Sequence, residues 1–291
     1  MTTAASKTLV SYMERTRLYY RALGYETDYA WAHFTDVPFA RPSKPLSQSN
    51  VALVMTAGPA DRSNRDASRR RHVWSGNTGD PPQSFETDVA WDRESTHVDD
   101  RETFLPINAI RKAAATGLIG GLTQRFHGVP TEYSQKKTME QDAPEVLKRM
   151  REDSADAALL AALCPVCHQT MSLVARHLEA NGIPTVVVGT ARDVVEHCGV
   201  PRFVFSDFPL GNPCGHPWDK EMQAGIVGIA LRMIESANHP RSTIQTPFAW
   251  KNDPGWRERY ARVRPEDRER LLAVGDARRI ERGQPPRRPH P

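Results

Sequence analysis

Apolar residues run almost unbroken at Val51–Met55, Ala157–Leu163 and Ile183–Val188, with a shorter run inside Val200–Ser206. Strands buried on both faces of a parallel sheet read this way. Between these runs the spacing turns helical. Met13, Leu18 and Leu23 share a face of Ser11–Leu23, which stops at Gly24. Ile107, Ile110 and Ala114 define a helix with Asn108 as N-cap and Gly117 as its end. Val146, Leu147 and Met150 mark Ala143–Asp153, and Met171, Val174, Ala175 and Leu178 mark Gln169–Ala180, stopped by Asn181–Gly182. Met222, Ile226, Ile229, Ala230 and Met233 mark Glu221–Ser236, and Leu118–Leu122 reads as a short strand. Strands alternating with helices predict an α/β fold, a mostly parallel sheet with helices on both faces in a Rossmann-like arrangement.

The pattern is interrupted in three places. Residues 1–48 read as an N-terminal helical and aromatic arm, residues 49–240 as the α/β domain, and residues 241–291 as a charged C-terminal arm that is partly disordered. Residues 60–86 are polar and rich in Arg, Asp, Ser and Gly, as expected of a long loop or lid. No internal repeat is visible.

Composition narrows the function. The 291 residues are 39% apolar, enough for a sizeable core. The net charge of +4 comes from scattered arginine patches such as Arg69–Arg71 and the tail, without an aromatic-interleaved basic stripe, so a nucleic-acid partner is not expected. No apolar stretch is long enough to span a bilayer, and Met1–Arg17 lacks the pattern of a signal peptide, so a cytoplasmic location away from membranes is expected. Four cysteines do not make a disulfide scaffold in a chain of this length.

The chemistry centres on Cys164–Pro165–Val166–Cys167. The pair falls between a predicted strand and a predicted helix, at the carboxyl edge of the sheet where α/β proteins bind ligands. Free N–H groups and the helix dipole favour thiolate there. One thiolate can attack a substrate and the other release it, closing a disulfide. Three rival readings stand beside this one. Zinc at Cys164 and Cys167 would need partners among Cys198, Cys214, His168, His197 and His216, whose spacing is irregular. Cys164–His168 also matches the c-type haem pattern, which requires an exported chain. Buried inert thiols are the third.

Other polar clusters accompany the pair. Trp91–Glu102 packs His97, Asp99 and Asp100 into one loop, and a solvated loop is its plain alternative. Gln124–Tyr133 holds His127 and Glu132 after a predicted strand, and Pro209–Pro213 with Asn212 has rigid-turn chemistry.

Taken in order, Val51–Thr56 with Gly58, Thr96–Arg101, Leu163–Cys167 and Pro209–Pro213 resemble component B (selenoprotein B) of the glycine, sarcosine and betaine reductases and the related B subunit of D-proline reductase. The resemblance covers roughly residues 10–250. Selenoprotein members carry selenocysteine where this chain has Cys164. The resemblance implies a thiol-dependent reductase cleaving C–N or a similar bond of a small amine or amino-acid-like substrate. Cys164 is then the nucleophile and Cys167 its resolver. His97 or His127 would protonate the leaving group, and Asp99, Asp100, Glu132 and Asn212 would bind substrate. It further implies a thioredoxin-like or low-molecular-weight thiol reductant and a partner reductase subunit carrying a pyruvoyl group, and chains of this size are commonly homo-oligomers. Two different readings remain at this stage. One is a cysteine-based racemase, which would want a second cysteine where Thr56–Gly58 stands. The other is a zinc-stabilised, non-catalytic binding subunit.

Overall fold

The computed structural model describes residues 9–87, 95–131, 133–251, 253–281 and 285. The strands are β1 (Asn50–Met55), β2 (Gly58–Pro59), β3 (Trp74–Asn77), β4 (Phe85–Glu86), β5 (Gly121–Leu122), β6 (Arg125–Gly128), β7 (Ala157–Ala161), β8 (Thr185–Gly189), β9 (Arg202–Phe205) and β10 (Ser242–Gln245). The helices are α1 (Tyr12–Ala22), α2 (Ile107–Ala115), α3 (Gln135–Lys137), α4 (Ala143–Glu152), α5 (Pro165–Ala180), α6 (Arg192–Cys198), α7 (Lys220–Ser236), α8 (Trp256–Arg259) and α9 (Arg268–Glu281).

One sheet organises the molecule, in the order β10-β9-β8-β7-β1-β6-β3, with β5 also pairing with β1. All of its pairings are parallel except β3 with β6. β7, β8 and β9 are buried along their whole length, as strands of a parallel sheet covered on both faces are, and the one charged residue among them, Arg202, is paired with Glu179 at 2.8 Å. Helices α4, α5 and α6 pack side by side against one face, and α2 and α7 pack together on the other. This is the expected mostly parallel α/β architecture. Among the described residues no helix is long and apolar enough to cross a membrane.

Several details depart from the sequence pattern. The 60–86 stretch contributes β3 as an antiparallel edge and the small β2–β4 pair. Its signal is weak because cross-strand partners alternate glycine with an aromatic ring: Trp74 lies over Gly128, and Phe126 over Gly76. The predicted strand Leu118–Leu122 shrinks to Gly121–Leu122. Helix α2 starts at Ile107, one residue before the expected cap, with Pro106 as N-cap. Residues beyond 240 also build structure. β10 extends the sheet beside β9, and α9 docks on the N-terminal segment, where Arg279 donates to the Leu23 carbonyl at 3.2 Å. β10 is half-exposed and α9 buries few apolar side chains, which is why neither has a strong periodic signature.

Candidate active site

The cysteine pair sits where β7 gives way to α5. Pro165 favours the first helical position, because it has no N–H to leave unpaired, and it starts the helix four residues earlier than the apolar period alone predicts. Cys164 is therefore the N-cap, in extended conformation, and its Sγ accepts the backbone N–H of Cys167 at 3.2 Å. Cys164 and Cys167 are joined as a disulfide, with their Cα atoms 4.8 Å apart. Cys164 is 8% exposed and Cys167 2%, so the first cysteine is the less buried residue of the two. Thr131 Oγ1 lies 3.0 Å from Cys167 Sγ. No motif in the sequence marks Thr131. Its only signal was its position just past β6, on the carboxyl edge shared with β7.

His168, the next residue, is fully buried and fixed on both sides. Nδ1–H donates to the Cys164 carbonyl at 2.7 Å, and Nε2 accepts the N–H groups of Thr190 at 2.8 Å and Ala191 at 3.1 Å. Burial drives its pKa down to about 4, so the ring is neutral. Both nitrogens are committed to backbone, and the ring is not offered to a haem iron or a zinc ion. Cys198 and Cys214 are buried elsewhere. Burial pushes the Cys198 thiol up to about 12 and raises Cys214 as well, as for inert core thiols. Among the described residues no three His, Cys, Asp or Glu side chains are grouped to hold a metal.

The late loop and the acidic loop meet the end of β7. Gly211 N–H donates to the Leu163 carbonyl at 3.0 Å, one residue before Cys164. Asn212 is fully buried, and its Nδ2 donates to the His97 carbonyl at 2.9 Å and to Thr103 Oγ1 at 2.8 Å. Thr96 Oγ1 donates to the Leu210 carbonyl at 2.9 Å. Asn212 thus binds two loops together. Asp100 is also an internal brace: its carboxylate accepts from Glu102 N at 3.1 Å, Trp218 N at 2.6 Å and Gln223 Nε2 at 2.8 Å.

His97 and Asp99 face outward. The His97 ring stands 3.3 Å from Asp99 and is tilted against Trp218, with ring centroids 5.0 Å apart. Both line a cavity of about 530 Å³, together with Arg62, Phe85, Glu86 and Thr96. His127 is engaged differently. It is fully buried, bonded through Nδ1 to Ser75 Oγ at 2.9 Å, with Nε2 3.2 Å from the Asp153 carboxylate at the end of α4. Burial outweighs the pull of Asp153 and lowers its pKa to about 4. From that segment it is Thr131 that reaches the cysteine pair. Glu132 lies outside the described residues. Glu102, at the end of the acidic loop, is buried as well. Burial raises its carboxyl to about 7, and it accepts the Asn108 N–H at 2.8 Å.

No protein-family model matches the chain, and no solved structure matches it. Over 152 residues it is 30% identical to D-proline reductase subunit gamma of Acetoanaerobium sticklandii. The match covers 52% of this chain and 63% of the relative, so the chain spans less than two thirds of that protein's length. Across about half its length, then, the chain is a relative of a D-proline reductase subunit.

Proposed function

We propose that this chain is the thiol-bearing subunit of a reductase that cleaves a carbon–nitrogen bond, or a similar bond, in a small amine or amino-acid-like substrate. The observation that carries the reading is the Cys164–Cys167 pair. Two sulfurs lie within bonding reach at the N-terminus of a sixteen-residue helix, and the Cys167 N–H is directed at Cys164 Sγ. A Cys164 thiolate would keep that N–H and gain from the helix dipole. The similarity to a D-proline reductase subunit supports the reaction class.

In the first step the Cys164 thiolate attacks the carbon that bears nitrogen. A C–S bond forms as the C–N bond breaks, and the amine departs with that electron pair and takes a proton. His97 donates the proton, since imidazole is the usual proton carrier in enzymes working near neutral pH. Asp99 beside it, with Glu132, attracts the cationic nitrogen. Cys167 then attacks Cys164 Sγ. The S–S bond forms, the C–S bond breaks, and the carbon leaves with its electron pair and is protonated. Two electrons have passed from the dithiol to the substrate. A thioredoxin-like protein or small thiol in a reducing, cytoplasmic setting restores the dithiol. A partner subunit that activates the amine belongs to the same proposal, as do component B membership and self-association.

The test is intact-mass spectrometry of reduced protein incubated with candidate amines, alone and beside co-purified reductase subunits. Cys167→Ser should accumulate substrate mass on Cys164, and the wild type should release it as the disulfide forms. Full turnover in Cys164→Ser would overturn the proposal.

A further inference from the structure

Trp218 stands in a conformation that a tryptophan rarely keeps. Its φ is +62°, in the left-handed region where a bulky side chain is strained. The indole is 66% exposed, so core packing does not offset the strain. The backbone around it is nonetheless tied down. Its N–H donates to the buried Asp100 carboxylate at 2.6 Å. The next two N–H groups close the turn, Asp219 onto the His216 carbonyl and Lys220 onto the Trp218 carbonyl, each at 3.2 Å. The other end of the side chain shows what this arrangement achieves. The indole lies against the His97 ring, with centroids 5.0 Å apart and planes inclined at 37°.

His97 has weak support otherwise. Its ring lines the cavity of about 530 Å³, while Trp218 lines a second one of about 350 Å³ with Glu102, Asn108, Lys112 and Lys220. The stacked pair therefore borders open space on both sides. Asp99, 3.3 Å from the imidazole, is 77% exposed, and an ion pair so placed holds weakly. We infer that Trp218 is a positioning residue, which confines the His97 imidazole to the larger cavity. An imidazole beside two cavities can turn into either, and a flat ring against its face removes that freedom. Asp100 then acts on His97 through Trp218, whose strained turn it holds closed. Placement matters for a proton donor, since a displacement of about 1 Å can cost on the order of a hundredfold in rate. That His97 gives its proton to the departing amine rests on the reductase reading; the confinement of the ring does not.

Magnetic resonance of the full chain labelled with carbon-13 in its histidine rings tests the confinement, the His97 line being assigned by its loss in His97→Gln. Ring protons held against an indole are displaced by its ring current, and those of a freely turning imidazole are not. Trp218→Gly is the informative variant, because glycine accepts a φ of +62° without strain and only the indole is lost. It should be no less stable to urea than the wild type, yet its His97 line should fall back to the position of an unfolded histidine. Trp218→Phe should keep most of the displacement. In reduced protein given an amine that forms the Cys164 adduct, amine release should slow about tenfold or more in Trp218→Gly and recover to within about threefold of the wild type in Trp218→Phe. An unmoved His97 line in Trp218→Gly, or amine release at the wild-type rate there, would overturn the inference. So would a marked loss of stability with the His97 line in place, the mark of a residue that only packs. A wild type that forms no adduct with any amine removes the reductase reading alone, and the His97 line still decides whether Trp218 holds the ring.

Discussion

His168 lies so close to Gly189 that a Cβ at position 189 would sit 2.6 Å from the imidazole Cδ2 and Nε2 atoms. The ring fills the gap between the end of β8 and the start of α5, and through Nδ1 it holds the Cys164 carbonyl. Gly189→Ala therefore forces either the ring or β8 to move. Overpacking of this kind costs about 1–3 kcal/mol. Displacing the ring also loosens the turn that presents Cys164. Urea denaturation should show the loss, and iodoacetamide labelling of the reduced variant should show a changed Cys164 rate. A variant as stable as the wild type, with the same labelling rate, would mean that the ring has room the contact distances deny.

The same ring makes stability depend on pH in a defined direction. In the folded chain its pKa is lowered to about 4 by burial, against roughly 6.5 for an unfolded imidazole. Between those values the unfolded state takes up a proton that the folded state refuses. The contribution of His168 is thus complete above about pH 6.5 and is lost as pH falls through about 4. His168→Leu leaves the N–H groups of Thr190 and Ala191 without partners and takes one of two bonds from the Cys164 carbonyl, which keeps the backbone N–H of residue 168; the cost is on the order of 2–4 kcal/mol at pH 7. The gap in unfolding free energy between wild type and His168→Leu should narrow steadily from pH 7 to pH 4.5. A gap that stays constant over that range contradicts a neutral, buried imidazole.

How much could be read from the chain alone varied with the kind of residue. The buried strands were plain, because Val51–Met55 and Thr185–Gly189 are apolar on both faces of the sheet. The Cys164–Cys167 motif was equally plain, since its spacing is local. The start of α5 is less plain, because period counting sees Met171 and Val174 but gives no weight to Pro165 as a first helical residue. The roles of Asp100 and Asn212 were hidden for a different reason. The family resemblance casts both as substrate-binding groups, yet each is held by partners more than a hundred residues away, Trp218 and Gln223 for one and His97 and Thr103 for the other. His127 and His97 were indistinguishable in sequence, and burial separates them. Thr131 carried no pattern that would have marked it.

Asn212 makes its two bonds through donors, and that dictates which substitutions hurt. Asn212→Ala leaves the His97 carbonyl and the Thr103 hydroxyl short of a partner, worth about 1–3 kcal/mol. Asn212→Asp is closer in shape but sets an acceptor against the His97 carbonyl in a fully buried position, so it should be the more damaging of the two. Hydrogen exchange should speed up across residues 95–103 in both variants, with Asp leading. Faster exchange in Ala than in Asp would assign Asn212 a packing role and remove its part in bracing the loop.

Thr131 separates the two thiol steps. Its hydroxyl lies on Cys167 Sγ, not on Cys164, so it acts on the resolving sulfur. A hydroxyl that donates to a thiolate stabilises it and holds it in line for attack, and a charge-assisted bond of this kind is worth about 1.5–3 kcal/mol. In Thr131→Val, attack by Cys164 should proceed at the wild-type rate, because its thiolate relies on the Cys167 N–H and the helix terminus. Release of the adduct by Cys167 should slow by about tenfold or more, the equivalent of one such bond lost from the transition state. Stopped-time mass spectrometry of reduced protein distinguishes the steps, since the Cys164 adduct should build up in Thr131→Val and stay low in the wild type. Equal slowing of adduct formation and release would mean that Thr131 supports the whole pair, and the division of labour between Cys164 and Cys167 would have to be drawn elsewhere.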